Sequence, residues 1–271
     1  SITQEGRFKP AWFRRYSTNG PYIVLAPDGK GKASLIHTCR FFITVDPATT
    51  DVPTGESLYK NREPSWSVIS TWCVVNDRYL ILWHVERFQQ EIPEVCKRIR
   101  DRYRFWTKGG YQDTNGNNIY IRPEFIGIEN NGTNIGVFQI CNSMNLPIKP
   151  LSPSGSSKLV RSTDAACRAE AGSIYLPATN CINAGDWLGS FEDEIFRWVG
   201  HEHQTADQVD TLSYAAIIMS TEISSTSPID PEDTEPAQGM VMEQSGFLNP
   251  STRIVGPYGR DTHGSLGPTN Y

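Results

Sequence analysis

The stretch TADQVDTLSYAA carries two carboxylates, Asp207 and Asp210, three residues apart in the first turn of an expected helix. At that spacing they share one helix face. The helix dipole accounts for an acid at the N-terminus. The second acid stands directly before the apolar TLSYAAII and is expected to point toward the protein. Two more acids close apolar runs: Asp46 follows FFITV, and Glu129 ends FIGIE before small polar residues. Singly, each has an ordinary explanation. Asp46-Pro47 starts a turn, and Glu129 precedes a helix whose dipole favours it. As a set, two strand ends and one helix start can bring four acids to one end of a sheet. Like charges there repel unless cations neutralise them, so the constellation predicts two divalent cations, Mg²⁺ or Mn²⁺. Two such ions about 3.5–4 Å apart, bridged by a carboxylate, position a water and stabilise the leaving oxygen in phosphodiester hydrolysis. Asp46, Glu129, Asp207 and Asp210 are therefore the expected catalytic and metal-binding residues. Asp46, held by a central strand, is the expected bridge.

The elements that must position these acids follow from the pattern of the chain. RFFITVDPATT is β-branched and aromatic and stops at Asp-Pro. WSVISTWCVV and RYLILWHVER form a hairpin across the turn NDR. Ile92, Val95, Ile99 and Tyr103 recur at helical spacing. GGYQDTNGNN reads as a turn-rich loop, IYIRPEFIGIENN as a strand and loop, GVFQICNSM as a helix, and LPIKPLSP as a short strand. SKLVRSTDAACRAEAG reads as a helix ending on Gly172, SIYLP as a short strand, and two helices follow, ending near Met219. Three strands joined by short turns must be antiparallel, and the alternation after them implies parallel pairing. The expected fold is α/β: a mixed central sheet, three antiparallel strands then parallel ones, with helices on both faces. Residues 1–35 read as a lead-in, 36–224 as the domain, and 225–271, rich in Ser, Thr, Pro, Gly and acids, as a poorly structured tail.

The chain has 271 residues, enough to bury a substantial core. Hydrophobic residues make up 38% and charged residues 20%, as in ordinary globular proteins. The net charge of −5 does not itself suggest a nucleic-acid partner, so any such contact must use a local basic patch. Six widely spaced cysteines without a C-x-x-C pair read as free thiols rather than a disulfide framework or zinc ribbon. No apolar run approaches the roughly 18 residues of a membrane span, and the polar N-terminus does not read as a signal peptide. GKGKAS lacks the spacing of a phosphate-binding P-loop, and NGT at Asn131 reads as a chance sequon.

Lys158 and Arg161, three apart on a helix, read either as contacts to DNA phosphates or as a solvated face. The basic run Lys97–Arg104 reads as a solvated face, and His201 and His203 as loop histidines. Thr49 and Thr50 could hydrogen-bond Asp46 or a metal-bound water. Trp72, Trp83, Trp187 and Trp198 are expected in the core.

The ordered set ITVDPATT, hairpin, FIGIENNGTNIG, KLVRSTDAACRAEAGSIYLP, WLGSFEDEIFRWVG and TADQVDTLSYAA resembles the nuclease domain of the large terminase subunit of tailed bacteriophages, over about residues 40–220. The resemblance implies an RNase H-like fold and a metal-dependent endonuclease that cuts concatemeric double-stranded DNA during packaging. It implies Asp46, Glu129, Asp207 and Asp210 as ligands. The family's last motif is usually His-Asp-Asp with a further Asp three residues on. Here Thr205 and Ala206 occupy the His and first Asp positions, which puts Asp207 first and leaves Asp210 beside it. The implied partners are double-stranded DNA, an ATPase domain of the same full-length chain, the small terminase subunit and the portal, with no membrane. The implied setting is the host cytoplasm. The polar start and FKPAWFRRY resemble the family's interdomain lead-in, so the chain reads as a domain of a longer protein. A resolvase or integrase-type nuclease, or a docking module of the packaging motor with a relic site, are the alternative readings.

Overall fold

The computed structural model describes residues 6–25, 31, 33–48, 66–130, 132–152, 157–179, 181–201, 204 and 206–223. Thr49, Thr50, Asn131, His203, Thr205 and the 225–271 segment lie outside them.

Along the chain, β1 (Arg14–Asn19), β2 (Tyr22–Val24) and β3 (Ala33–Leu35) come first. They are followed by β4 (Arg40–Asp46), β5 (Ser67–Val75), β6 (Tyr79–Phe88) and helix α1 (Ile92–Thr107). Next come β7 (Tyr111–Gln112), β8 (Asn118–Ile119), β9 (Pro123–Glu129), α2 (Ile135–Ser143) and β10 (Ile148–Leu151). The chain continues through α3 (Lys158–Arg161), α4 (Thr163–Glu170), β11 (Ile174–Pro177), α5 (Trp187–Arg197) and α6 (Asp207–Ile218).

β5 is buried along its whole length, which is why SVISTWCVV reads as a continuous rather than alternating pattern. It turns into β6 through Asn76, Asp77 and Arg78; Asn76 and Asp77 both have φ near +50° (54° and 51°), a left-handed pair whose twist suits the hairpin. β4 pairs antiparallel with β5, and β5 with β6. On its other side β4 pairs parallel with β9, and β9 with β10. The full order is β10-β9-β4-β5-β6-β11-β1-β2-β3. The five strands β10-β9-β4-β5-β6, three antiparallel and two parallel, form the mixed central sheet expected from the sequence. Helices cover both faces. Phe42, Trp72 and Leu82 pack under α4, α5 and α6, while Ile43, Ile69 and Trp83 pack under α1 and α2.

Three local expectations change. The segment 14–35 extends the sheet, because β1 pairs parallel with β11 and its Tyr16 hydroxyl donates to the buried Leu82 carbonyl at 2.9 Å. GGYQDTNGNN contains the small hairpin β7–β8. The helix expected over 158–172 breaks at Ser162 into α3 and α4. The six cysteines are free, and Trp72, Trp83 and Trp198 are fully buried. Among the described residues, no helix is long and apolar enough to cross a membrane.

Candidate active site

Strand alternation decides where Asp46 points. Ile43 and Val45 belong to the core under α1 and α2, so Phe42, Thr44 and Asp46 face α6. Register decides its neighbour. Thr44 lies opposite Gly127 and Val45 opposite Ile128 on the parallel strand β9. One residue further, Asp46 and Glu129 are the last residues of two adjacent strands that run in the same direction.

Helix α6 is held against this strand end by a buried hydroxyl chain. The Thr44 hydroxyl donates to the Thr211 carbonyl at 3.1 Å and accepts from the Trp72 indole N–H at 2.8 Å. The Ser70 hydroxyl donates to Thr211 Oγ1 at 2.9 Å, and Thr211 Oγ1 donates to the Gln208 carbonyl at 2.9 Å. All four side chains on β4, β5 and α6 are fully buried, so each bond is made out of water and the helix has one position in which every group is satisfied.

The N-terminus of α6 is capped from another helix. Ala206 occupies the N-cap position and offers no side-chain acceptor. Glu194 of α5 supplies it, accepting the Gln208 backbone N–H at 2.6 Å and the Gln208 side-chain amide at 2.8 Å. A carboxylate there also answers the positive end of the helix dipole. Ala206 itself is 1% exposed within the apolar cluster under α6.

Asp207 and Asp210 then project from a fixed first turn. The Asp210 side chain is 6% exposed and carries an ion pair on each oxygen: Lys158 Nζ lies 2.6 Å from Oδ2, and Arg161 Nη2 lies 3.0 Å from Oδ1. Both cations come from the short α3, whose N-cap Ser157 accepts the Val160 N–H. The cluster is electrostatically coupled across its width. Burial raises the Asp46 carboxyl well above its usual range, the Asp210 charge raises it further, and Lys158 opposes the rise. Asp207 and Glu129 add smaller contributions of the same sign as Asp210. Asp207 is raised by burial and by Glu194, and is relieved by Lys158, Arg87 and the Trp66 N–H. Burial opposes the Lys158 charge, yet Asp210, Asp46 and Asp207 together hold its ammonium above the ordinary value. On the far side, the Tyr214 phenol is raised by burial and by the Glu129 charge, and the Arg161 guanidinium lies 5.8 Å from its ring centroid.

Of the six residues expected from sequence, Asp210, Lys158 and Arg161 are joined by ion pairs, Asp46 and Glu129 end adjacent strands, and Asp207 shares the first turn of α6 with Asp210. Asp46, Asp207 and Asp210 act electrostatically on Lys158, and Glu129 acts on Asp46 and Tyr214. The donors are hard carboxylate oxygens, the set that suits Mg²⁺ or Mn²⁺. Among the described residues, no three His, Cys, Asp or Glu side chains stand together at metal-ligand spacing. His201 lines an opening of about 340 Å³ beside Ser157, Lys158 and Leu159. The basic run on α1 is largely spent on internal pairs: Arg98 and Arg102 reach Glu86, Lys97 reaches Glu94 and Arg100 reaches Asp101. Sequence reasoning missed Glu194, Gln208 and the Thr44–Ser70–Thr211 chain. Glu194 and Gln208 lie 14 residues apart on two helices, a spacing without a local signal.

No family model matches the chain, and no curated protein matches it. Several solved structures are similar to it. The large terminase nuclease from thermophilic phage G20c with bound magnesium has a TM-score of 0.46 at 13% identity, covering 79% of this chain and 97% of that one. The human cytomegalovirus terminase nuclease domain, manganese-soaked with an inhibitor bound, has a TM-score of 0.46 at 11% identity, covering 81% and 97%. RuvC of T. thermophilus in complex with a Holliday junction substrate has a TM-score of 0.31 at 11% identity, covering 66% and 97%. At these scores the similarity assigns no activity to this chain.

Proposed function

We propose that this chain is a metal-dependent DNA endonuclease of the terminase type, hydrolysing phosphodiester bonds of double-stranded DNA. The observation that carries this reading is the meeting of Asp46 and Glu129, at two adjacent strand ends, with Asp207 and Asp210 of α6 in one electrostatically coupled cluster. The Asp46 carboxyl is raised first by burial and then by the Asp210 charge, as fits a carboxylate at a functional site. Two divalent cations, Mg²⁺ or Mn²⁺, would supply a positioned water and a stabilised leaving oxygen when held by these acids.

The chain's own residues have separable tasks. Asp46, fixed by the sheet, presents the central carboxylate. Glu129 and Asp207 flank it from β9 and α6. Glu194, Ser70, Thr44 and Thr211 hold α6 so that this spacing does not drift. Lys158 and Arg161 line the same end: Arg161 stays on Asp210, and Lys158, when it leaves Asp210, contacts DNA phosphates, giving backbone rather than base recognition. The proposed nuclease domain covers residues 36–224 together with β1 to β3, which extend its sheet. In the packaging setting that the sequence resemblance implies, it works in the host cytoplasm beside an ATPase domain, the small subunit and the portal.

The test is Mn²⁺-dependent nicking of supercoiled plasmid by the wild type and by Asp46→Asn, with circular dichroism to show that the variant is folded. Loss of nicking in a folded Asp46→Asn protein is expected. Undiminished cleavage overturns the assignment, and cleavage confined to branched substrates redirects it to a resolvase.

A further inference from the structure

We propose that Lys158 is a displaceable counter-cation of the carboxylate cluster, and that a divalent cation binds there in exchange with its ammonium. This role presupposes the cation site proposed above. Both oxygens of Asp210 are engaged, one by Lys158 at 2.6 Å and one by Arg161 at 3.0 Å. Asp46 and Asp207 also act electrostatically on the Lys158 charge, so the ammonium on Asp210 answers more than one acid. An ammonium and a dication repel each other when both are held on the Asp210 carboxylate. Their repulsion rises as the local dielectric falls, and each carboxylate oxygen gains more from the doubly charged partner.

The two basic residues are not equivalent. Arg161 is 11% exposed, its planar fork lies beside the Tyr214 ring, and it has little room to leave. Lys158 is 39% exposed, carried on a flexible four-carbon stem at the first position of a four-residue helix. It can swing into water and keep its hydration there. Arg161 is thus the permanent partner of Asp210, and Lys158 is the exchangeable one. A released ammonium next to a phosphodiester is in turn a phosphate contact. DNA therefore holds Lys158 away from Asp210 and tightens the divalent cation, and the cation tightens DNA by the same factor.

The experiment has two readouts on the full 271-residue chain without DNA. Isothermal titration with Mn²⁺ compares the wild type with Lys158→Met and Lys158→Arg. Removing the competing charge in Lys158→Met should tighten Mn²⁺ by about tenfold or more, while Lys158→Arg should stay near the wild type. Amine labelling followed by mass spectrometry then reads Lys158 directly in the wild type. It should be protected without Mn²⁺ and should become reactive at saturating Mn²⁺. If Lys158→Met fails to fold, this labelling still decides. Unchanged or weaker Mn²⁺ binding in a folded Lys158→Met, or labelling of Lys158 that ignores Mn²⁺, overturns the exchange and leaves the cation site standing. Absence of Mn²⁺ binding in every form overturns both.

Discussion

The Glu194 carboxylate of α5 accepts two hydrogen bonds from one residue of α6, Gln208: the backbone N–H at 2.6 Å and the side-chain amide at 2.8 Å. It thereby replaces the side-chain cap that Ala206 cannot provide, and the residue it holds, Gln208, is one from Asp207 and two from Asp210. Glu194→Ala leaves a buried N–H unpaired at a helix end and is expected to destabilise the fold by about 1–3 kcal/mol. Glu194→Gln, which keeps an acceptor, should lose less. Urea denaturation of both variants checks this, and equal loss in the two would show that charge rather than capping matters.

Thr211 ties α6 to the sheet through Thr44 and Ser70. Thr211→Val keeps the volume and removes the hydroxyl, which strands the Ser70 donor in a buried site. We expect a loss of about 1–3 kcal/mol, together with reduced nicking, because the Asp207–Asp210 turn is no longer pinned. Thermal unfolding and plasmid nicking measured on the same preparation test both parts.

The resemblance places an acid of the family motif at Ala206, but the structure buries this position in the apolar cluster under α6. Ala206→Asp should therefore destabilise the protein by several kcal/mol, of the order of ~3 or more, instead of improving the site. A stable Ala206→Asp variant with tighter Mn²⁺ binding would contradict this placement.

His84 lies on β6 between the Trp106 and Trp187 rings. Burial, and then the Arg102 charge, hold its imidazole down to about 3. Its folded value lies below its unfolded value, so its contribution to stability is present above pH ~6.5 and is lost as pH falls toward about 3. Stability should decline over this window by up to about 1.4 kcal/mol per pH unit from this group. Comparing His84→Gln with the wild type from pH 7 to 4 should show a shallower decline in the variant. Identical slopes would contradict a neutral buried imidazole.

The order of strands and helices was legible because the decisive segments are extreme in pattern. FFITV and SVISTWCVV are buried on both faces, Asn76-Asp77 is a hairpin turn, and Gly172 takes the left-handed conformation (φ 66°) that ends a helix. In the sequence, β1 to β3 read only as part of a lead-in. They are three to six residues long, and their place is set by pairing with β11, more than a hundred residues away. At the site, acids that end apolar strands could be picked out, since each breaks a hydrophobic run. Their ion pairs could not. That Lys158 and Arg161 bind Asp210, instead of standing free for DNA, depends on how α3 lies against α6, and no local spacing encodes it.

The most direct test of the metal-site assignment is an anomalous difference map from crystals soaked in Mn²⁺. We predict Mn²⁺ peaks among Asp46, Glu129, Asp207 and Asp210, with Lys158 Nζ moved off Asp210. A saturating soak that leaves this end of the sheet without a peak, and Lys158 still on Asp210, would contradict it.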